Sequence, residues 1–417
     1  MDRRKLGEHL YLTVLPNSKF KRNKITINFM IPNRRETATA FALLPGVLER
    51  AYEDYPTMLE FSRKLNMMYS ASLRTGTYVT GSNRSLRFSI QGIKNEYCLN
   101  GEDLLNDMCD VLLGVIFRPC LEDGHFVDEW LEIEKYKLKE EIQSEVNDKR
   151  GYCVRQARRL FFKDSMNGVE RLGYEDEIDS VSSTGLYECY QQLLRSSSIE
   201  IFVSAEGADS ITEKLVSAFA YERDGVTPPI TTQLTPCENE VVVKDEQIDT
   251  VQGKICLIYT TTRLLKAEER FKMLVANAVF GGTVSSRLFK NVREKQSLCY
   301  YCAAGFSGFT SSMTVDSGVE HVNSQKAVDA IKKELSDLIN GPISQKEIDE
   351  VKLTLKNSLM SSYDSLASLE AWYMNEAFIG TGLSPEDAVT VISEVSEEDI
   401  REMLKLLHLN VLYRIVR

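Results

Sequence analysis

Lys24-Ile-Thr-Ile-Asn-Phe-Met-Ile-Pro32 and Lys254-Ile-Cys-Leu-Ile-Tyr-Thr-Thr-Thr262 decide the architecture, because they read as one element met twice. The first alternates apolar and polar side chains with a period of two, the pattern of a strand with one face toward a core. A helical stretch over about Thr37 to Tyr69 follows, then strand-like Ala71 to Thr80 and Arg84 to Ile93. After the second come helical Ala267 to Phe280 and Ser285 to Lys295, then strand-like Cys299 to Phe306 and Ser311 to Val319. Lys24 to Lys254 is an offset of 230 residues, and Arg63 to Arg293 repeats it. The same order of elements at one constant offset predicts a duplicated domain.

Helical periodicity also runs over Asp103 to Phe117, Glu129 to Phe162 and Leu186 to Arg195, and over Ser324 to Ile339, Gln345 to Ser362 and Glu397 to Leu407. Each half closes on a strand, Ser198 to Ser204 and Asn410 to Val416. Between them Thr227 to Glu238 carries three of the ten prolines and no helical period, so it reads as a linker joining a first domain, 1–226, to a second, 239–417. Hairpins interspersed with runs of helices predict an α+β fold: two homologous domains, each a mostly antiparallel sheet with helices packed on one face.

The 417 residues are 43% hydrophobic and 27% charged, ordinary for globular domains. A net charge of −11 argues against nucleic acid or an anionic membrane as the main partner. The first residues lack the apolar segment of a secretory signal, and the longest apolar runs, such as Phe41 to Leu48, fall well short of the ~18 residues of a membrane span. Nine cysteines in no even framework read as reduced thiols, which points to a cytoplasmic location.

Four histidines, His9, His125, His321 and His408, are too scattered for a His-Glu-x-x-His zinc helix. No Gly-x-Ser-x-Gly elbow, Walker A loop or Gly-x-Gly-x-x-Gly turn is present. Cys299 and Cys302 form a lone Cys-x-x-Cys in an expected strand. Positions three apart on a strand point to opposite faces, so the pair reads as core cysteines rather than redox chemistry.

Phe280-Gly-Gly-Thr-Val-Ser-Ser-Arg-Leu-Phe-Lys-Asn-Val-Arg-Glu-Lys-Gln-Ser-Leu-Cys-Tyr300 resembles the second-domain signature of the insulinase-like metallopeptidases, the family of pitrilysin and mitochondrial processing peptidase. The resemblance extends over nearly the whole chain and is nearest to the non-catalytic YfmF-type members. Active members carry His-x-x-Glu-His on the first long helix. Here Glu49 matches the glutamate, but Gly46 and Arg50 stand at the histidine positions. Glycine offers no ligand and arginine is a permanent cation; Pro45 and Gly46 also weaken the helix. The family's third ligand glutamate follows another by seven residues, a spacing that Glu134 and Glu141 match. Read alone, Glu134 to Glu145 is a solvated helix face, and Glu49 a surface or ion-pairing residue. Arg293 and Tyr300 stand at the spacing of the family's substrate-binding arginine and tyrosine, a forked cation and a phenol donor suited to a developing oxyanion. Their bland reading is a helix C-terminal cation and a strand-packing tyrosine.

The resemblance therefore implies a non-catalytic subunit with no cofactor of its own. It would bind a peptide or protein substrate and pair with a zinc-bearing paralogue as a heterodimer. Arg293 and Tyr300 would be supplied to a shared chamber. The alternative is a stand-alone peptide-binding or chaperone-like module, with a link to modification of elongation factor P. An independent enzyme with another metal, or none, is a third reading.

Overall fold

The computed structural model describes residues 2–15, 17–163, 165–237 and 240–417. Glu238 and Asn239, where the expected linker meets the expected second domain, lie outside the described residues. The chain forms two compact units, residues 1–143 with 169–230, and 144–168 with 231–417. Ser144 to Gly168, first-domain by sequence order, thus packs with the second unit.

The first unit opens with strands β1 (Asp2–Gly7), β2 (Leu10–Leu15) and β3 (Arg22–Pro32). Helices α1 (Arg35–Leu48) and α2 (Met58–Met67) and the hairpin β4 (Ser72–Thr80) and β5 (Asn83–Ile93) follow. Then come α3 (Leu104–Phe117), the small ribbon β6 (Leu121–Glu122) and β7 (His125–Phe126), and α4 (Asp128–Ser144). Helix α5 (Lys149–Phe162) belongs to the second unit, after which α6 (Ser183–Ser196), β8 (Ser198–Ser204) and α7 (Asp209–Ala218) complete the first. The helical stretch read as continuous from Thr37 to Tyr69 is broken between α1 and α2 by a turn in which Tyr52 and Tyr55 bridge each other ahead of Pro56. The stretch from Glu129 to Phe162 breaks at Asp148, whose carboxylate caps α5 through Gly151 N–H.

The sheet order is β1-β2-β8-β3-β5-β4, antiparallel except for β2 beside β8. Ile25, Ile27 and Phe29 of β3 share a core with Leu86, Phe88 and Ile90 of β5, Ile199, Ile201 and Val203 of β8, and the apolar faces of α1, α3, α6 and α7. Each such side chain removed from water contributes about 1.5–3 kcal/mol.

The second unit repeats the plan. It runs β9 (Val242–Gln247), β10 (Gly253–Thr261), α8 (Glu269–Asn277), β11 (Cys299–Ser307) and β12 (Ser312–Val319). Helices α9 (Ser324–Asn340), α10 (Gln345–Met360), α11 (Leu366–Ile379), α12 (Pro385–Glu394) and α13 (Glu397–Lys405) and strand β13 (Leu407–Val416) close it. The sheet order β11-β12-β10-β13-β9 copies β4-β5-β3-β8-β2 of the first unit, including one parallel pair at the same place. Both halves are α+β, built on an antiparallel-rich sheet with helices packed against it.

The second sheet departs from the one-sided expectation. Ile255, Leu257 and Tyr259 of β10 face the main core, whereas Cys256 and Ile258 join Val411, Tyr413 and Ile415 beneath Cys153, Ala157, Phe161 and Phe162 of α5. A sheet covered on both faces needs strands apolar in both phases, which is how Ile255-Cys-Leu-Ile-Tyr259 reads. Among the described residues, no helix is long and apolar enough to cross a membrane.

Candidate functional site

Helix α1 continues through Pro45 and Gly46, and Glu49 closes it with its N–H on Pro45 O at 3.0 Å. The missing side chain at Gly46 has a use: a Cβ there would collide with the Glu134 carboxylate. Glu134, on α4, lies across Gly46 and accepts from Arg50 Nη2 at 2.7 Å. Lys137 Nζ donates to the same Glu134 oxygen at 2.8 Å. Arg50 and Glu134 keep only 10% and 12% of their side-chain surface in water. The Glu134 carboxylate is therefore taken up by two cations, Arg50 and Lys137. The Trp130 ring lies 6.0 Å from the Arg50 guanidinium, a neighbour that no motif signalled.

Glu49 points elsewhere. Its carboxylate accepts from the backbone N–H of Thr75 on β4, the edge strand of the first sheet. Burial pushes the Glu49 carboxyl above its usual range; the Thr75 N–H and the Arg74 charge oppose this and the Glu134 charge adds to it. It is thus neither a surface residue nor a partner of Arg50. An edge N–H held by a side chain is closed to an added strand at that point. Glu141 is not brought to the group: it sits two turns along α4, half exposed, paired with Arg171 at 3.0 Å. Of the two glutamates seven apart, the structure brings Glu134 alone to the α1 positions.

The described residues contain no convergent set of three His, Cys, Asp or Glu side chains able to hold a metal ion. At the α1 positions the reason is chemical. Gly46 supplies no donor atom, Glu49 is turned to β4, and Glu134 is held by two cations. These residues do not fit zinc.

In the second unit Arg293 lies in the last turn of a π-helical segment, Leu288–Lys295, which leads into edge strand β11. Its Nε donates to the Tyr300 carbonyl at 3.0 Å, and its guanidinium covers the Phe289 ring at 4.4 Å. The pairing of β11 with β12 runs Cys299 to Val319, then Tyr301 to Gly318, so Tyr300 is the extra residue of a β-bulge. A bulge at a sheet edge re-aims one side chain. Tyr300 is 52% exposed, so it does not pack into the sheet as the bland reading has it.

The bulge also overturns the expectation for Cys299 and Cys302. With one residue inserted, they oppose Val319 and Ser317, which are two apart on β12 and share a face. Both thiols join the main core, while the Tyr301 ring lies on the other face under the Arg150 guanidinium at 4.3 Å. The cysteines are buried, as expected, but side by side.

The two units thus repeat one sheet plan, and the Arg50 guanidinium sits on the Glu134 carboxylate. Residues 180–355 match the family model described as peptidase M16 inactive domain. A Bacillus subtilis protein named Probable inactive metalloprotease YmfF is 25% identical over 402 residues, 96% of this chain and 94% of its own. A second relative there, Uncharacterized zinc protease YmxG, is 25% identical over 58% of both chains. Among solved structures, a conserved protein from Enterococcus faecalis V583 superposes with a TM-score of 0.90 at 28% identity, over 100% of this chain and 98% of that one. A peptidase M16 inactive domain from Pseudomonas fluorescens shares the fold, with a TM-score of 0.81 at 15% identity over 100% of this chain and 98% of its own. The chain is thus similar to the M16, or insulinase-like, peptidases: through the family model over residues 180–355, and through the inactive-metalloprotease relative over nearly its whole length. Its α1 segment has Gly46 and Arg50 where a His-x-x-Glu-His motif would place its two histidines.

Proposed function

We propose that this protein is the non-catalytic, substrate-binding subunit of a two-chain peptidase whose zinc resides in a paralogous partner. One observation carries the reading: Tyr300 is set out from an edge strand by a bulge, and Arg293 braces that bulge through its carbonyl. A residue with only a packing task has no need of this arrangement. The phenol O–H and the forked guanidinium are donors suited to a peptide carbonyl and to the oxyanion that develops from it. The free edge of β11 suits an extended peptide, which gains main-chain hydrogen bonds by lying along a strand.

The test mixes the purified chain with a paralogue carrying His-x-x-Glu-His and follows cleavage of a peptide library. Cleavage is expected from the mixture and from neither chain alone. Tyr300→Phe removes the phenol but leaves the Arg293 bond to the backbone carbonyl, so the dimer persists while turnover falls by ~10²-fold. Peptide binding by the single chain with no cleavage from the mixture would favour a stand-alone binding module. Unchanged turnover in Tyr300→Phe would remove this pair from the chemistry.

A further inference from the structure

The feature not used so far is the thiol pair behind the bulge. Cys299 and Cys302 sit on the same face of β11 because Tyr300 is inserted between them, and both belong to the core of the second unit. The Ser317 hydroxyl, opposite Cys302 on β12, donates to the Tyr301 carbonyl at 2.8 Å between the two thiols in sequence. The neighbouring Cys302 thiol draws the Cys299 thiol down to about 7 against burial, with Ser317 and the Arg293 charge acting the same way, and Cys302 is held well above the usual thiol range. One sulfur is thereby a nucleophile and its neighbour a reserve thiol, the division of labour of a reactive pair. The other buried cysteines, Cys109, Cys153 and Cys256, are all pushed upward by burial, which leaves them inert.

We propose that Cys299 and Cys302 are a reversible dithiol–disulfide site, oxidised by a hydroperoxide, that staples the bulge carrying Tyr300. The Cys299 thiolate attacks one peroxide oxygen, the O–O bond breaks, and Cys299 becomes a sulfenic acid as hydroxide leaves. The Cys302 sulfur, as its proton is lost, then displaces hydroxide from the sulfenic sulfur and the S–S bond forms. Two thiols lose two electrons, and hydrogen peroxide is reduced to two waters. The disulfide closes a ring containing Tyr300 and Tyr301. Because disulfide geometry draws Cα atoms to within about 4.4–6.8 Å, closure tightens the bulge and fixes its extra residue. The consequence for a bound peptide rests on the function proposed above; the modification site itself does not.

The experiment treats the full chain with hydrogen peroxide, alkylates remaining thiols, and maps all nine cysteines by peptide mass spectrometry. Expected is joint loss of label at Cys299 and Cys302, a cross-linked peptide two hydrogens lighter, and return of both labels after dithiothreitol. Hydrogen exchange on the same samples should show the amides of β11 slowed in the oxidised chain. The proposal is overturned if Cys299 and Cys302 keep their labels while the partly exposed Cys98, Cys120 or Cys237 lose theirs. It is equally overturned if Cys299 oxidises past sulfenic acid with Cys302 still free. Because the wild-type chain is used, no outcome depends on a variant folding. Peptide cleavage by the two-chain mixture can fail without touching this result, so the two readings fail separately.

Discussion

Arg50 Nη2 donates to Glu134 Oε1 at 2.7 Å, joining the end of the first helix to α4 through a nearly buried ion pair. The pair is only about one-tenth exposed, so the loss of one partner leaves a poorly solvated charge behind. Arg50→Ala should therefore cost about 2 kcal/mol in urea unfolding, part of the Glu134 charge being still met by Lys137. Arg50→Met with Glu134→Leu should recover most of that loss, since apolar replacement of both partners removes the unpaired charge. Equal destabilisation by the single and double variants would show that the two side chains are not coupled.

The same geometry predicts what restores a metal site. Gly46→His with Arg50→His places two imidazoles four residues apart, one on the last turn of α1 and one just past its end, and releases Glu134 from the guanidinium. The carboxylate that a Cβ at Gly46 would strike is then free to swing aside. This double variant should retain one zinc ion per chain after dialysis against a weak chelator, and Glu134→Ala in the same background should lose it. Metal analysis decides, and a zinc-free double variant would count against the placement of Glu134.

Glu49 gives a pH prediction. Its folded-state carboxyl titrates above the ordinary range, chiefly because it is buried. The folded chain thus holds this proton more tightly than the unfolded one, so the group favours folding at low pH. That contribution is lost as pH rises through the raised folded value. Glu49→Gln keeps an acceptor for the Thr75 N–H without the buried charge. The variant should be at least as stable as wild type at pH 7, and the difference should shrink as pH falls into the carboxyl range. Urea midpoints at several pH values check this; a variant less stable at pH 7 with no pH trend would contradict it.

Helix α5 lies early in the sequence but is packed into the second unit. Phe161→Ala, at a residue only 3% exposed, should cost about 3–5 kcal/mol. Faster hydrogen exchange is expected in β10 and β13, whose Cys256, Ile258, Val411 and Ile415 share its cluster, and not in β3 or β5. Loss of protection confined to the first unit would refute the assignment of this helix.

Much of the architecture was legible in the sequence because strands with a buried face must repeat every two residues. Lys24–Pro32 and Lys254–Thr262 declared the duplication, and Ser198–Ser204 was placed residue for residue. The Gly46 and Arg50 substitutions were equally plain, since they are identities rather than geometry. What stayed hidden had a common cause. Glu134 and Glu141 are interchangeable on a helical wheel, and only the packing of α4 against Gly46 separates them. Glu49 offered no signal that its partner is a backbone N–H of a strand 26 residues on. Helices α7, α11 and α12 gave no reading, and the helical run to Phe162 concealed a break at Asp148.

Residue identities alone established the repeated α+β plan and the missing imidazoles, because hydrophobic periodicity and ligand chemistry are properties of the chain itself. The partner of Arg50, the outward turn of Tyr300 and the shared face of Cys299 and Cys302 were settled by tertiary structure alone. Each depends on contacts between segments far apart in sequence, or on one inserted residue in a strand, and a single extra residue reverses every face that periodicity assigns.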